Sequence, residues 1–282
     1  MPKISLSTWS LFLKMNYRRA MNFAVHNGFG GVEIWSSPFD FWPRTVTSKE
    51  IDAIKSIARE NKLSLAIHFC TIGNNLADLN AGHLNESMNQ LKETIRLCRR
   101  IGGQVVVVHP GTCPDVSAHG ENLLSPKLMP ASLKQETIER FKKSLHEAAR
   151  FAESHDVVIG LENSGPPGRA IQSTIEDLAE WVADINSPAL QIALDLGHAS
   201  VEGKMERAIH LFDRRIKHIH LHDSNGKGMD HGEIGTGNIQ WNLVAGFLKD
   251  FPEMLSIEVQ VREDIEGAVL RSKLYLDNLL KA

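Results

Sequence analysis

Short apolar runs alternate with long amphipathic stretches from one end of this 282-residue chain to the other. Each apolar run has the length of a strand, and each stretch that follows has the length and spacing of a helix. The predicted strands are Lys3–Trp9, Gly31–Trp35, Leu63–His68, Val105–His109, Val157–Glu162, Leu190–Asp195, Ile216–His222 and Met254–Gln260. Because parallel strands need long crossover connections, this alternation predicts an α/β chain with a parallel sheet.

Helices are predicted between the strands, where apolar residues recur at intervals of three and four. Their bounds are Tyr17–Asn27, Ser48–Asn61, Leu84–Ile101, Ser132–Ser154, Ser173–Asp184, a stretch ending near Phe212, Trp241–Lys249 and Ile265–Leu280. No Gly/Ser-rich linker divides the chain, so residues 1–282 are expected to form a single (β/α)8 TIM barrel. A doubly wound open sheet is the alternative, but it would usually carry a glycine-rich phosphate turn after its first strand.

The composition is that of a soluble globular protein, with 42% hydrophobic and 23% charged residues. A net charge of −3 gives no general attraction to nucleic acid or to an anionic membrane, although the net charge does not exclude a local basic groove. Cys70, Cys98 and Cys113 are scattered and odd in number, which favours a reducing, cytoplasmic location. The apolar run from Ile4 to Leu13 is broken by hydroxyl residues, so a buried first strand is expected there rather than a membrane segment.

The segment His218–Asp223 reads HIHLHD and places a histidine at every second position. Side chains alternate across a strand, so His218, His220 and His222 share one face while Ile219 and Leu221 take the other. Three imidazoles on one face indicate a metal site. For any single histidine, a hydrogen-bonded place in the core is the alternative, and that is the role expected of His218 and His222.

Most of the other predicted strands also end at an ionisable residue. In most of these strands, small or polar residues share a face with that last residue, as Ser64 and Ala66 do with His68, which is the face expected of a narrow barrel lumen. TIM barrels carry their chemistry at the carboxyl ends of the strands. The residues expected to meet there are His68, His109, Glu162, Asp195, His198, His220, His231 and Glu258.

Imidazole and carboxylate ligands together suit a divalent metal, Zn²⁺ or Mn²⁺ first, with Co²⁺, Fe²⁺ and Mg²⁺ as alternatives. Glu162, Asp195, His220 and Glu258 are the predicted ligands. For the other four histidines the sequence leaves two roles, metal ligand or substrate contact. These residues are His68, His109, His198 and His231.

The motifs at these strand ends resemble those of the xylose-isomerase-like TIM-barrel superfamily. The matching segments are VVVVHPG at 105–111, GLENS at 160–164, LDLGHA at 194–199, HLHDS at 220–224 and GTGNI at 235–239, with His231 and Glu258. The superfamily holds sugar isomerases and epimerases, inosose dehydratases and apurinic-site nucleases of the endonuclease IV type (AP endonuclease family 2). The resemblance covers nearly the whole chain and is more specific for the superfamily than for one activity.

Similarity to the epimerases implies that Glu162, Asp195, His220 and Glu258 bind one divalent metal. It further implies that Glu162 and Glu258 stand on opposite sides of the substrate, one removing a proton beside a carbonyl and the other returning it. The metal would hold the substrate oxygens and stabilise the enediolate, and His198 would contact a substrate oxygen.

Similarity to endonuclease IV implies a multinuclear zinc centre instead. The additional metal sites would be formed by His68 and His109 with Glu162, and by His198 with His231. In that family an aspartate two residues before the second histidine completes the last site. This chain has Met229 there and Asp230 one place later, so the resemblance to a three-metal centre is incomplete.

The loops bear on the choice of substrate. The candidate substrate contacts are Glu33, Trp35, Phe39, Trp42, Arg44, His68 and His109. The loop at 36–47 is aromatic rather than basic, so it suits stacking on a sugar, or alternatively packing on a neighbouring subunit of a homo-oligomer. Pro110–Ala131 is long for a connection and is a predicted lid. The loop cations Arg44, Lys127, Arg169 and Lys227 are few for gripping a duplex, so nucleic acid is not an expected partner.

Taken together, these features predict a divalent-metal-dependent isomerase or epimerase of carbohydrate metabolism, acting on a small sugar, sugar phosphate or polyol. The alternative is an endonuclease IV-like enzyme that hydrolyses DNA at abasic sites with a multinuclear zinc centre. A metal-binding protein without catalysis is a third class, and it would leave the carboxylates of Glu162 and Glu258 without a role.

Overall fold

The computed structural model describes residues 2–112, 117–118, 121–122, 130–164, 170–171, 174–226 and 230–281. Within these residues, eight parallel strands close into a barrel in which each strand pairs with its neighbours in sequence and the last pairs with the first. We number the barrel strands β1 (Lys3–Ser7), β2 (Gly31–Trp35), β3 (Ser64–His68), β4 (Val105–Val108), β5 (Val158–Glu162), β6 (Leu190–Asp195), β7 (Ile216–Leu221) and β8 (Met254–Ile257). The predicted (β/α)8 TIM barrel is confirmed.

Helices surround the barrel and connect its strands. They are α1 (Tyr17–His26), α2 (Ser48–Glu60), α3 (Ala81–Ile101), α4 (Ala131–Glu153), α5 (Ile175–Ile185), α6 (Leu196–Val201), α7 (Met205–Phe212), α8 (Trp241–Asp250) and α9 (Ile265–Leu279). Helix α2 begins with a capping box, in which the Thr47 side chain accepts the Glu50 N–H and the Glu50 side chain accepts the Thr47 N–H. The cap is therefore Thr47, and the predicted cap Ser48 is the first helical residue.

Three predicted elements differ from the structure by more than fraying at their ends. Strand β1 stops at Ser7 because Thr8–Leu11 turns into a 3₁₀ helix, which moves Trp9 out of the strand. The single helix predicted to end near Phe212 is two helices, α6 and α7, separated at Gly203, whose φ is +68°. Strand β8 ends at Ile257 rather than Gln260, which leaves Glu258 just beyond the strand.

The two faces of the barrel strands are chemically different. Leu6, Ile34, Ile219 and Leu221 are fully buried in the hydrophobic core that includes apolar side chains of the surrounding helices. The other face forms the lumen, and it is polar. Its fully buried side chains include Ser5, Glu33, His218, His220 and Ser256. The alternation predicted from the sequence is thus confirmed, and it fills the centre of the barrel with hydrogen-bonding groups.

Several sequence predictions concern regions outside the barrel. The predicted lid Pro110–Ala131 lies mostly outside the described residues; the structure describes its two ends and a pair of short antiparallel strands, Ser117–Ala118 and Glu121–Asn122. Cys70 and Cys98 are buried free thiols, and Cys113 lies outside the described residues. Among the residues that the structure describes, no helix combines the length and the apolar character needed to cross a membrane.

Candidate metal centre

Four ionisable side chains converge at the carboxyl end of the barrel. Glu162 ends β5, Asp195 ends β6, His220 lies near the end of β7, and Glu258 follows β8 directly. All four are at most 5% exposed. One donor atom from each lies within 4.8 Å of all the others, which is a spacing that a single metal ion can bridge. The structure therefore brings together the four residues predicted as ligands.

The imidazole of His220 is the meeting point of this cluster. Its Nδ1 lies 3.2 Å from Glu162 Oε1 and 3.1 Å from Glu258 Oε2. The same atom lies 4.0 Å from Asp195 Oδ2. Three carboxylates thus face one ring nitrogen, and the other ring nitrogen points away from them into the lumen.

A second cluster extends the site along β3 and β4. His68 and His109 approach each other with their Nε2 atoms 3.2 Å apart. Both also approach Glu162 Oε2, His109 at 3.0 Å and His68 at 3.4 Å. Since Glu162 belongs to both clusters, it could bridge two neighbouring cations.

A third cluster contains the histidines at 198, 222 and 231. The rings of His222 and His231 stack with centroids 4.0 Å apart, and His198 packs edge-on against His231 at 5.4 Å. Each of these three histidines offers a ring nitrogen that could reach a common ion. Met229 lies outside the described residues, and Asp230 bonds to the backbone N–H of Asn225 rather than to a histidine.

The charges in the site stabilise one another. Burial alone would raise the pKa of Glu162, but the imidazoles of His109 and His220 hold it well below its usual range. Burial likewise opposes ionisation of Glu258, yet His220 keeps the pKa of that carboxyl low. For His220, burial lowers the pKa, and the carboxylates of Glu258, Glu33 and Glu162 raise it well above its usual value. The carboxylates are therefore ionised at neutral pH, and His220 is protonated when no metal is bound.

His231 differs from its neighbours. Burial and the facing His222 lower the pKa of His231 to about 4. Its ring is consequently neutral at physiological pH, and its Nδ1 lies 3.0 Å from the backbone carbonyl oxygen of Glu258.

The donor set fits a divalent metal. Among the described residues, Glu162 Oε2 and Asp195 Oδ2 are buried and receive no hydrogen bond of ordinary geometry. Imidazole nitrogens approach both oxygens, His109 Nε2 to 3.0 Å from Glu162 Oε2, but a buried charged oxygen without a hydrogen bond is unfavourable, and a cation would satisfy it. Three carboxylates with one imidazole form a hard, oxygen-rich set that suits Mn²⁺, Mg²⁺, Co²⁺, Fe²⁺ or Zn²⁺.

The sequence motifs explain how Asp195 is held in place. Asn163 exchanges two hydrogen bonds with the Asp195 backbone, from its side-chain amide to the Asp195 carbonyl at 2.9 Å and from the Asp195 N–H at 2.8 Å. The Asp195 carboxylate also caps α6 by accepting the His198 N–H at 2.7 Å. Asn163 was not among the predicted site residues, although its place directly after Glu162 at a strand end is a usable signal.

Asp223 is a second residue that sequence reasoning missed. Its two carboxylate oxygens accept hydrogen bonds from the N–H groups of Ser224, Gly235 and Ile239 and from the Trp241 indole. It therefore fastens the segment that follows β7, including His231, to the end of that strand. The acidic end of the HIHLHD motif is structural, and His220 and His222 are the residues of the motif that join the clusters described above.

A cavity of about 130 Å³ opens over the cluster of His220 and the carboxylates. Its lining residues are Trp9, Trp35, His68, Thr71, His109, Glu162, His198, His231 and Glu258. Trp35, His68 and His109 were predicted substrate contacts, and the structure places them on this wall. Trp9 and Thr71 were not predicted.

The other predicted substrate contacts do not line this cavity. Phe39 is 80% exposed, and Trp42 lies outside the lining. The Arg44 guanidinium pairs with Glu86 at 2.8 Å and with Glu93 at 2.7 Å, on α3. Glu33 is fully buried in the lumen, with Oε2 within 2.9 Å of His220 Nε2. Lys127, Arg169 and Lys227 lie outside the described residues.

Comparison with known proteins places this architecture in a family. The family model described as "Xylose isomerase-like TIM barrel" matches residues 21–279. An uncharacterised protein of Methanocaldococcus jannaschii is 32% identical over 215 residues, covering 73% of this chain and 68% of that protein. A probable endonuclease 4 of Thermoplasma acidophilum is 25% identical over 224 residues, covering 74% of this chain and 69% of that protein.

A solved structure extends the comparison to the whole chain. The crystal structure of a D-tagatose 3-epimerase-like protein matches with a TM-score of 0.82 and 26% identity, over 99% of this chain and 97% of that chain. The barrel, the cluster of ionisable residues at its carboxyl end and the family match agree. The chain belongs to the xylose isomerase-like TIM barrel family.

Proposed function

We propose that this protein is a divalent-metal-dependent epimerase or isomerase of a small sugar, working by proton transfer beside a carbonyl group. One observation carries the proposal. The carboxylates of Glu162 and Glu258 approach the same nitrogen of His220, at 3.2 and 3.1 Å, at the base of a small cavity whose wall both residues also line. Two ionised carboxylates that meet in one cavity are suited to removing a proton and returning it.

The two glutamates act as the bases in this proposal. Their low pKa values keep both ionised at neutral pH, so either can accept a proton from the substrate carbon. His198 lines the same cavity, and its Nε2 has no hydrogen-bond partner among the described residues. That nitrogen is available to a substrate oxygen, while Nδ1 of the ring lies 2.9 Å from the Asn163 carbonyl oxygen, which fixes the ring.

The metal would be held by Glu162, Asp195, His220 and Glu258. When bound, it would supply Lewis-acid stabilisation of negative charge on substrate oxygens. Trp9 and Trp35 supply aromatic faces on the cavity wall, against which a sugar ring or chain can pack. The cavity volume of about 130 Å³ lies well below the range of roughly 300–1,000 Å³ that is typical of drug-sized ligands, which favours a small substrate.

The similarity to a D-tagatose 3-epimerase-like protein supports the same reaction class. It suggests a ketose as the first substrate to test, with inversion at the carbon next to the carbonyl.

An abasic-site endonuclease is the second candidate, and a specific observation favours it. The clusters around His109 and His231 could hold further metal ions beside the first, as a multinuclear hydrolase would require. The similarity to a probable endonuclease 4 points in the same direction. Against it, Arg44, the described cation of the 36–47 loop, is already paired with two carboxylates.

The reaction can be tested by isotope exchange. The Mn²⁺-loaded protein, incubated in D₂O with a panel of ketoses, should give an epimer that carries deuterium at the inverted carbon. Glu162→Gln and Glu258→Gln should each abolish epimerisation, and each should still exchange the proton of one epimer, because the opposite base remains. Metal content is measured in both variants, since both residues are also proposed ligands.

A parallel assay separates the two candidates. The same preparation, loaded with Zn²⁺, is incubated with an abasic-site duplex at physiological salt. Nicking that disappears in Glu258→Gln, together with no epimerisation of any ketose in the panel, would overturn the proposal in favour of the endonuclease.

A further inference from the structure

Glu33 occupies an unusual place for a carboxylate. It lies on β2, its side chain is fully buried in the barrel lumen, and it does not line the cavity. Its Oε2 lies 2.9 Å from His220 Nε2 and 2.7 Å from His218 Nε2. Two imidazoles of β7 therefore converge on one oxygen of a residue from β2, three strands away around the barrel.

The two nitrogens of His220 thus have different partners. Nδ1 faces Glu162 and Glu258, the residues proposed to hold the metal, while Nε2 hydrogen bonds to Glu33. A neutral imidazole that binds a metal through one nitrogen carries its proton on the other. An acceptor at Nε2 therefore determines which nitrogen is free to bind and which way the ring faces.

We propose that Glu33 is a positioning residue for the metal centre: its carboxylate accepts the Nε2 proton of His220 and so directs Nδ1 toward the metal. The proposal rests on the proposed metal site, and it does not depend on which sugar is the substrate. His218 Nε2 approaches the same carboxylate oxygen to 2.7 Å from the layer below. A direct metal site at Glu33, His218 and His220 is the competing arrangement. We favour hydrogen bonding because the contact between His220 Nε2 and Glu33 Oε2, at 2.9 Å, has both the distance and the geometry of a charge-assisted hydrogen bond.

Ser256 provides a matched control. It is fully buried in the same lumen, lies opposite His220 in the strand register, and its hydroxyl has no hydrogen-bond partner among the described residues. Ser256→Ala disturbs the packing of the same layer without touching the acceptor of His220. A general effect of altering the lumen would appear in both variants, whereas loss of positioning would appear at Glu33 alone.

The first experiment is a Mn²⁺ titration of the whole chain, followed by calorimetry and by the loss of the free Mn²⁺ electron paramagnetic resonance signal. Glu33→Met fills a similar volume without an acceptor and should weaken binding by about 10- to 100-fold, the usual effect of removing such a partner. Glu33→Gln keeps an oxygen acceptor and should recover most of the affinity. Ser256→Ala should bind as the unaltered chain does.

The second experiment needs no variant at position 33 and so covers the case in which Glu33→Met does not fold. In the Zn²⁺-loaded chain with ¹⁵N-labelled histidine, long-range proton–nitrogen correlation spectra should show His220 protonated at Nε2 and metal-bound at Nδ1. The His220 signals are assigned by their absence in His220→Gln. Metal bound through Nε2 would overturn the proposal.

Three further outcomes distinguish failure of the positioning role of Glu33 from failure of the proposed metal centre. Unchanged affinity in a folded Glu33→Met would overturn the positioning role while leaving the metal centre intact. A second bound ion, lost in Glu33→Met and retained in Glu162→Gln, would show that Glu33 ligates a metal itself. No binding of Mn²⁺ or Zn²⁺ by the unaltered chain would overturn the metal centre, and the role of Glu33 with it.

Discussion

The Nε2 atom of His222 lies 3.1 Å from Oδ1 of Asp195, whereas Oδ2 of the same carboxylate faces Nδ1 of His220 at 4.0 Å. The two oxygens of Asp195 thus have different partners, and His222 contacts the oxygen that does not face His220. Burial lowers the pKa of His222, but Asp195 raises it to about 9, so the ring is a cation at neutral pH.

His222→Asn should therefore keep substantial activity. Removing a group that orients a metal ligand typically lowers metal affinity by about 10- to 100-fold, and added metal can offset that loss. Removing a general base costs roughly 10²- to 10⁴-fold in kcat, and excess metal does not restore it. The measurement is kcat at saturating Mn²⁺ for His222→Asn beside Glu162→Gln. Equal losses in the two variants would place His222 among the reacting groups.

Gly197 makes room for this pair. A Cβ atom at Gly197 would overlap the ring of His222, and the ring cannot retreat because it is fully buried. Gly197→Ala should lower the free energy of unfolding by about 1–3 kcal/mol, the usual cost of overpacking. Gly246 is the matched control, since it is also helical, is exposed, and a Cβ there meets nothing within 4 Å. Gly246→Ala should stabilise the protein by about 0.4–1 kcal/mol in the same urea titration.

Much of the site could be predicted because strand alternation is a local property. The period of two assigns Glu162, Asp195, His220 and Glu258 to the lumen face, and parallel strands bring their carboxyl ends to one edge. Alternation gives the face of a residue but not its depth in the lumen. Glu33 and Trp35 share a face on β2, yet only Trp35 reaches the cavity, because depth is set by the stagger between strands across the whole barrel.

The loops could not be predicted, because long-range contacts determine their direction. Arg44 was expected at the mouth, but Glu86 and Glu93 on α3 hold it, some 40 to 50 positions later in the chain. Trp9 was assigned to a strand, and the 3₁₀ helix at Thr8–Leu11 instead turns it onto the cavity wall, where its ring lies 4.9 Å from that of His231. Neither contact leaves a periodic signal in the sequence.

Metal affinity should rise with pH. In the metal-free protein, burial lowers the pKa of His220, but the surrounding carboxylates raise it well above its usual value, so the ring is protonated at neutral pH. A metal ion can bind Nδ1 only after one proton leaves the ring, and raising the pH favours that step. Mn²⁺ affinity should therefore increase about tenfold per pH unit between about pH 6 and about pH 8, as measured by calorimetry. A flat profile would show that His220 is not a ligand.

Asp223 should be important for stability rather than for chemistry. Its carboxylate accepts four hydrogen bonds that tie the 224–241 segment to β7. Asp223→Ala leaves these donors unpaired and should cost on the order of 3 kcal/mol or more in urea unfolding. Asp230→Ala is the control, because Asp230 is exposed and should change stability by less than about 1 kcal/mol. Similar losses in both variants would mean that Asp223 does not anchor the segment.

Trp35 and Arg44 were both expected to contact the substrate, and the structure separates them. Trp35 lines the cavity and is braced by Phe12, whose ring centroid lies 5.0 Å away. Replacing it with Leu removes the aromatic face and should raise KM for the preferred sugar by about 3- to 10-fold, as expected for loss of one aromatic contact. The folded fraction of Trp35→Leu is checked by thermal denaturation, because the residue is buried.

Arg44→Ala should leave KM and kcat unchanged. Its guanidinium is already engaged by Glu86 and Glu93, and its side chain is 43% exposed and away from the cavity lining. Surface ion pairs of this kind contribute about 0–1 kcal/mol to stability, so the variant should also fold normally. Both variants are assayed with a neutral ketose and with its phosphorylated form at saturating Mn²⁺. If Arg44→Ala raises KM for the phosphorylated sugar alone, the 36–47 loop reaches the substrate, and the assignment of Arg44 to a surface ion pair away from the site is wrong.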